Sequence, residues 1–411
     1  MLENGGKVKP SWMELPPVVK IFAALNGNAR FVGGCVRDTL LGKPVKDIDA
    51  ATPLLPEEAI ELLRNAGIKV VPTGLKHGTV TAVEDKRAIE ITTLRRDEET
   101  DGRHAEVSFT DDWQEDAGRR DFTINAMYMD IDGTIYDYFS GQQDLAEKRI
   151  RFIGNPEERI REDYLRILRF FRFAAQLSTR NLDEKGLIAC RGLAEGIKRL
   201  SGERIQGEMF KILASPDPVY AVTAMYREKI LPQIGMEKPD LELLEKLIRR
   251  ESDEKTAEYF PVDPVFRLGL LLLHNLDLPE LAERWKLSGR VRSQLAFILQ
   301  PHDFPTGEKS AKKNLRKYKK ENFQNLLRVG LLTGKIEEEK FVAFMQVAKS
   351  WIVPEMPVNG DELLQLGMRP GREVGELLAR LEEWWEEKNY QPGKLEMLAH
   401  AKTLIPANKG W

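Results

Sequence analysis

The feature that most constrains this fold is a change of apolar period near Gly141. From Ala29 to about Tyr138, short runs rich in β-branched residues recur at Arg30–Val32, Lys69–Val71, Thr79–Val83, Ala88–Thr93 and Ala126–Ile131, separated by turn and helix signals. Among them, Pro56, Glu57 and Glu58 open a helix that runs to about Ala66 and stops at Gly67, since proline and acids suit a first turn and glycine suits a helix end. After Gly141 the residues Tyr164, Leu165, Leu168, Phe171 and Ala175 fall at helical spacing, and that period persists nearly to the end. Breaks near Pro216, Pro232, Pro261, Pro301 to Pro305 and Pro354 to Pro357 divide it into short helices. The expected class is α+β, with the strands first and an all-α remainder.

Within the strand-bearing part, twelve residues separate Phe31-Val-Gly-Gly34 from Asp47-Ile-Asp49-Ala50. On a strand, two residues one apart share a face, so Asp47 and Asp49 can hold a hard divalent cation together. Magnesium suits such a pair, because it takes a few carboxylates and completes its shell with phosphate oxygens and water. Gly33 and Gly34 have no β-carbon and let backbone amides approach a polyphosphate, while Arg37 neutralises its charge. Taken alone, an Asp-x-Asp is commonly a solvated pair; the glycine pair at this spacing is what makes it a candidate site.

Composition narrows the alternatives. A net charge of -3 over 411 residues excludes a globally basic nucleic-acid binder, so any RNA contact must be a local patch. Cys35 and Cys190 are the only cysteines, which excludes a disulfide framework or a cysteine-pair zinc site and suits a reducing cytoplasm. The polar start of the chain does not read as a signal peptide. The densest apolar cluster, Leu268 to Leu273, falls far short of the roughly 20 residues needed to span a bilayer.

Further motifs follow in order: Gly33-Gly-Cys-Val-Arg-Asp38, Asp47-Ile-Asp-Ala-Ala-Thr52, Gly74-Leu-Lys-His-Gly-Thr79, Glu90-Ile-Thr-Thr-Leu-Arg95, Arg119-Arg-Asp-Phe-Thr-Ile-Asn-Ala126 and Glu162-Asp-Tyr-Leu-Arg-Ile-Leu-Arg169. This series resembles the class II tRNA nucleotidyltransferases and bacterial poly(A) polymerases of the DNA polymerase beta superfamily, closely through about Gln176 and loosely beyond. The resemblance implies a nucleotidyltransferase head with a small mixed sheet and flanking helices, followed by an elongated all-α neck, body and tail. The corresponding ranges are an extension over 1–27, head 28–145, neck 146–205, body 206–305 and tail 306–411.

It also implies roles. Asp47 and Asp49 match the metal ligands, for two magnesium ions. Glu90 is either a third carboxylate or a buried structural glutamate. Arg120, Asp121 and Asn125 match groups that contact the triphosphate and ribose, which suits the planar donor fork of arginine. Asp163 and Arg166, three apart on one expected helix with Arg169 beside them, match a protein template for the incoming base. Cytosine and adenine each present an amine donor beside a ring-nitrogen acceptor, whereas uracil and guanine reverse that order, so a carboxylate next to a guanidinium accepts CTP and ATP alike. Arg95 to Phe109, with Arg103 and His104 near its tip, resembles the flexible loop of full CCA-adding enzymes; a solvated hairpin is the plain alternative.

One basic segment stands apart. Lys309, Lys312, Lys313, Arg316, Lys317, Lys319 and Lys320 fall within twelve residues that contain no acid, mostly on one helical face. This is either a solvated face or a hold on an RNA backbone. The later histidines, His274, His302 and His400, do not make up the metal site of the phosphohydrolase domain appended in some relatives. The expectation is therefore an enzyme that adds cytidine and adenosine to a tRNA 3′ end from CTP and ATP, without membrane or obligate protein partner. A poly(A) polymerase, a CC-adding or A-adding enzyme, and a silent RNA-binding module are the alternatives.

Overall fold

The computed structural model describes residues 7–97, 107–273 and 278–405. Contacts divide the chain into two compact units, Met1–Leu241 with Asn275–Leu287, and Glu242–His274 with Ser288–Trp411. The first begins α1 (Pro16–Ala24), β1 (Arg30–Val32), α2 (Gly34–Leu40), β2 (Ile48–Thr52), α3 (Pro56–Asn65), β3 (Lys69–Gly74), β4 (Thr79–Glu84) and β5 (Arg87–Thr93). It continues through β6 (Arg95–Asp97), β7 (Val107–Phe109), α4 (Trp113–Gly118), β8 (Met127–Met129), β9 (Ile135–Asp137) and α5 (Gly141–Ala146). Then come only helices: α6 (Pro156–Glu162), α7 (Leu165–Leu177), α8 (Glu184–Gly192), α9 (Gly202–Leu213) and α10 (Val219–Arg227).

Among the described residues, seven strands form one sheet in the order β3-β4-β5-β2-β1-β8-β9. All its pairs are antiparallel except β2 with β5, which run parallel with Asp49 opposite Glu90. In β2 the residues Ile48, Ala50, Ala51 and Thr52 are buried and Asp49 is half-exposed. The sheet thus fixes one carboxylate beside another through backbone register rather than through side-chain contacts.

The end of the head is joined to the helices by aromatic packing. Phe122 lies 4.7 Å from Phe152 and 5.3 Å from Phe173, and Phe152 stacks on Phe170 at 5.3 Å. All four rings are buried, and each contributes about 1.5–3 kcal/mol by leaving water. This holds α7, and the arginines along it, against the sheet.

The structure departs from the expected helix over residues 162–169. Helix α6 ends at Glu162, Asp163 is extended (φ -154°, ψ 105°), and α7 starts at Leu165. Asp163 ends one helix and caps the next: its Oδ1 accepts from Leu165 N at 3.1 Å and its carbonyl from Arg166 N at 3.0 Å. Tyr164, at the break, packs directly on Gly196, where a β-carbon would fall inside its ring. Short aspartates favour such caps over helix interiors, so the helical apolar period concealed a turn.

The second unit contains α11 (Leu241–Ser252), α12 (Pro264–Leu271), α14 (Gly289–Leu299), α15 (Glu308–Leu332) and α16 (Glu338–Ser350), whereas α13 (Leu278–Arg284) belongs to the first. Its main core gathers Phe260, Phe266, Leu270, Phe323, Leu327 and Phe341. A smaller core of Val358, Leu363, Leu377, Leu381, Trp385 and Met397 is built by α17 (Gly360–Gln365), α18 (Arg372–Glu387) and α19 (Lys394–Leu404). Helix α15 is not straight, because Lys319 adopts φ 65° and ψ 166° and breaks it. Among the described residues no helix is long and apolar enough to cross a membrane.

Candidate active site

Asp49 on β2 and Glu90 on β5 are direct neighbours across the parallel pair, whereas Asp47, expected on the same strand as Asp49, lies exposed in the bend just before β2 begins at Ile48. Burial, then the charges of Glu90 and Asp47, push the Asp49 carboxyl above its ordinary range, with Arg120 opposing them. The three acids therefore repel one another, and a bound cation would relieve that repulsion. Among the described residues no three His, Cys, Asp or Glu side chains form a complete metal cage. A carboxylate pair with open positions fits magnesium, which takes its remaining ligands from substrate and water. Glu90 is exposed, which removes the buried structural alternative for it.

Behind Asp49 lies Cys35, whose thiol donates to the carbonyls of Val32 at 3.2 Å and Asp49 at 3.5 Å. Burial pushes this thiol up to about 11, so it serves as a structural clamp and not as a nucleophile.

A cavity of about 620 Å³ runs from Asp49 and Glu90 past Gly33 and Gly34 to α7 and α9. Its described lining contains the arginines 37, 95, 119, 120, 166, 169, 172 and 204 against four carboxylates, those of Asp49, Glu90, Asp121 and Asp163. Gly33 takes φ 73°, a left-handed conformation that glycine adopts without strain, and so turns β1 into α2 beside the cavity. Arg37 donates to Asn125 Oδ1 at 2.7 Å and to Asp38 at 2.9 Å. Asn125 Nδ2 donates to Asp121 at 3.2 Å, and Arg169 Nε donates to the other Asp121 oxygen at 2.6 Å. Arg37, Asn125, Asp121 and Arg169 thus form one continuous chain along the wall.

The Arg-Arg-Asp motif is held by a residue that sequence reasoning missed. Asp116, 1% exposed, accepts from Arg119 Nε at 2.7 Å, Arg120 at 3.0 Å, the Tyr128 hydroxyl at 2.6 Å and the backbone N–H of Arg95 at 3.2 Å. Burial alone would push the Asp116 carboxyl up, but Arg120 and Arg119 more than offset it and hold it below its usual range. Its position three and four residues before Arg119 and Arg120 was the available signal.

Asp163 and Arg166 both line the cavity but are not paired. Asp163 Oδ2 accepts from Arg204 on α9 at 2.7 Å, whereas Arg166 pairs with Glu162 and donates to the Arg159 carbonyl at 2.8 Å. The expectation of two neighbours on one helix face is corrected by the break at Asp163. Arg204 lies 41 residues from Asp163, and no local pattern pointed to it. Arg172, over the Phe173 ring at 4.2 Å and paired with buried Glu208 at 2.6 Å, is a further lining residue that the sequence reading did not single out.

Strands β6 and β7 pair at the base of the expected flexible loop, and Arg103 and His104 lie outside the described residues. So does His274.

In the second unit, the basic segment is largely engaged by its own neighbours. Lys312 pairs with Glu308 at 2.7 Å, Lys313 with Glu386 at 2.9 Å and Arg316 with Glu382 at 2.7 Å, while Lys309 donates to the Glu387 carbonyl at 3.2 Å. Lys317, Lys319 and Lys320 are exposed and in no ion pair among the described residues. The break at Lys319 also ends the single helical face expected there.

Comparison with known proteins agrees with this geometry. Residues 29–151 match the family model described as the poly A polymerase head domain, and residues 181–241 match "Probable RNA and SrmB-binding site of polymerase A". The mitochondrial CCA tRNA nucleotidyltransferase 1 of mouse is 36% identical over 94% of this chain and 89% of its own. The CCA-adding enzyme of Lactobacillus helveticus is 31% identical over 92% and 93%. The crystal structure of the Bacillus stearothermophilus CCA-adding enzyme in complex with CTP covers 97% of this chain and 98% of that one, with a TM-score of 0.78 and 28% identity. Likeness over nearly the whole length, on a chain whose sheet sets carboxylates against an arginine-lined cavity, places it in the family of CCA tRNA nucleotidyltransferases.

Proposed function

We propose that the protein adds cytidine and adenosine to the 3′ end of tRNA, using CTP and ATP and releasing pyrophosphate. The observation that carries this reading is the single cavity joining Asp49 and Glu90 to the arginine wall and to Asp163 and Arg166. Its volume of about 620 Å³ suits a small-molecule ligand such as a nucleotide, with Asp49 and Glu90 at the reacting end and the separate acceptor Asp163 and donor Arg166 on α7's side.

Asp47 and Asp49, with Glu90 beside them, would hold two magnesium ions. When bound, these ions acidify the RNA 3′ hydroxyl and offset triphosphate charge. Arg120 and Arg37 bind the phosphates, and because Asp116 and Asn125 already hold them, little reorganisation accompanies binding. Asp121 and Asn125 face the ribose, with Arg169 holding the Asp121 carboxylate in place. In the reaction, the 3′ oxygen forms a bond to the α-phosphorus as the bond to the pyrophosphate oxygen breaks, and the hydroxyl proton is released to solvent. Gly33 and Gly34 keep side chains out of this end of the cavity.

Base choice falls to Asp163 and Arg166. Arg204 holds the Asp163 carboxylate and Glu162 holds the Arg166 guanidinium at the edge of the cavity, so both groups are oriented toward a base by their partners. The pair accepts CTP and ATP alike, so the change from one to the other falls to a part that moves, such as the growing RNA end or a loop. In this reading the head spans 28–145, the neck 146–205, the body 206–305 and the tail 306–411, with RNA held in the tail by Lys317, Lys319 and Lys320. Two buried free thiols, Cys35 and Cys190, suit a reducing compartment such as the cytoplasm.

The test offers purified protein a tRNA lacking its last three nucleotides, with each nucleoside triphosphate in turn and then together, and reads product length. CTP alone should extend by two, CTP with ATP by three, and UTP or GTP not at all. A long adenosine tail would establish the poly(A) alternative, extension by CTP that ATP does not continue would establish a CC-adding enzyme, and extension by ATP of a second tRNA already ending in two cytidines, with none of the first, would establish an A-adding enzyme. No extension under any condition would reduce the protein to an RNA-binding module.

A further inference from the structure

A second cleft, of about 650 Å³, meets the same carboxylates and lies outside the arginine wall assigned to the nucleotide. The two cavities share Asp49 and Glu90. They lie toward opposite ends of the parallel pair: the arginine-lined cavity includes Ala50 and Thr92 further along β2 and β5, whereas the second includes Lys46, Asp47, Ile48, Arg87 and Ala88 at their starts. Its rim carries three cations. Lys46 directly precedes Asp47, Arg87 opens β5, and Lys86 stands at the tip of the β4–β5 hairpin. That tip is a two-residue left-handed turn, with Asp85 at φ 46° and Lys86 at φ 63°, closed by the pairing of Glu84 with Arg87. Asparagine and glycine adopt this conformation more readily than lysine, so the cation stands where local preference opposes it. Among the described residues none of Lys46, Lys86 or Arg87 is in an ion pair.

We infer that this cleft receives the 3′-terminal nucleotides of the acceptor RNA, with Lys46, Lys86 and Arg87 on its backbone phosphates. The inference rests on the nucleotidyltransferase reading above. In-line displacement brings the attacking hydroxyl to the α-phosphate opposite the leaving pyrophosphate. With the triphosphate on the arginine wall, the open approach to Asp49 and Glu90 is from the strand starts. A floor of Asp47, Asp49, Asp85 and Glu90 repels a polyanion, and cations at the rim offset that repulsion where the backbone enters.

The experiment compares the unsubstituted full-length protein with the double variant Lys86→Ala, Arg87→Ala and with Lys86→Arg. It measures incorporation of CTP into tRNA lacking its end over a salt series, with KM determined separately for tRNA and CTP. The double variant should raise the tRNA KM about tenfold and flatten its salt dependence, by a log–log slope of about 0.7 for each lost contact to a single strand. The CTP KM should stay unchanged, and Lys86→Arg should behave as the parent. An unchanged tRNA KM and salt slope would overturn the inference, as would a rise in CTP KM of the same size, which would move these cations to the triphosphate. Because Lys86 is exposed at a hairpin tip, its Lys86→Glu variant gives a folded second measurement, expected to bind tRNA more weakly still. Absence of incorporation by the parent sinks the nucleotidyltransferase reading, whereas normal incorporation with an unaltered tRNA KM in the variants sinks only the cleft.

Discussion

Two stretches of this chain are rich in cations, and the structure treats them in opposite ways. Along the cavity of the first unit, guanidiniums are held by buried acids or a buried amide yet still line open space: Arg120 by Asp116, Arg169 by Asp121, Arg37 by the Asn125 side-chain oxygen. In the second unit, Lys312, Lys313 and Arg316 are met by Glu308, Glu386 and Glu382, and Arg316 also donates to the Pro354 carbonyl at 2.6 Å. The first arrangement orients charge for a ligand. The second joins the helix carrying the basic segment to α18. A run of lysines and arginines without acids therefore says little about nucleic-acid binding until it is known which distant acids the fold brings against it.

If the cavity is the reacting centre, the largest effect belongs to its carboxylates. Asp49→Ala should lower kcat for CTP incorporation by about a thousandfold, equivalent to roughly 4 kcal/mol of transition-state stabilisation, with tRNA binding unchanged. Single-turnover rates and filter binding on the same preparation check both halves. The pH dependence has a definite sign. Because Asp49's carboxyl lies above the ordinary aspartate range, it takes up a proton at a higher pH than a free aspartate, and protonation competes with magnesium. At limiting magnesium the acid limb of kcat/KM should be displaced upward, and added magnesium should move it back down. An acid limb insensitive to magnesium would separate Asp49 from metal binding.

The second effect concerns the acid beneath the arginines. Asp116→Ala leaves Arg119, Arg120 and the Tyr128 hydroxyl without their shared buried acceptor, and should cost about 3–5 kcal/mol of stability. The Asp116 carboxyl is held below its usual value, so its stabilising contribution is complete above the ordinary carboxylate pKa and is lost as pH falls through the depressed one. Urea unfolding of parent and variant at neutral and strongly acid pH measures this: the difference in midpoint should shrink toward the acid end.

How much of this was legible in the sequence depends on whether local spacing or long-range packing sets each contact. The strand runs around Arg30, Thr79 and Ala88 were legible, and the Asp49–Glu90 neighbourhood followed once the strands paired in parallel. The α6–α7 break was not, because Ile160, Tyr164 and Leu168 keep a four-residue spacing across a turn set by one aspartate and by the packing of Tyr164 on Gly196. Helix α4 went unread although Asp112 caps it by accepting from Gln114 N at 2.7 Å. Arg204 was out of reach altogether, since only the tertiary packing of α7 and α9 sets it against Asp163. Local spacing reached the acids proposed for metal and the arginines proposed for phosphate, whereas the partners of Asp163 are set by long-range packing.

That long-range pair gives the third effect. Arg204→Ala frees one oxygen of Asp163, and its consequence is read against Asp163→Ala. Removing Asp163 should abolish the preference for CTP and ATP over UTP and GTP, while removing Arg204 should weaken that preference about tenfold with a smaller change in kcat, because an exposed partner positions the carboxylate without replacing it. Nucleotide competition assays decide between them. Equal selectivity in the parent and the Arg204 variant would make the ion pair a structural tie with no part in base choice.

The smallest effect returns to the basic segment of the second unit and divides it. Lys317, Lys319 and Lys320 are exposed and unpaired among the described residues, and the break at Lys319 turns the last of them away from the helix that carries Lys312, Lys313 and Arg316. Counterions gather on free cations and on the RNA, and their release on contact is what makes binding sensitive to salt; a lysine already neutralised by a glutamate releases few. Replacing the exposed trio with glutamine should therefore weaken tRNA binding a few-fold and flatten its salt slope by up to about 0.9 for each lost contact to duplex RNA. The same replacement at Lys313 and Arg316, which pair with Glu386 and Glu382 of α18, should leave the slope unaltered and instead loosen the packing of α15 on α18, seen as faster proteolysis in that region. Should both sets change the slope equally, the glutamates of α18 do not screen the segment, and the contrast with the head cavity disappears.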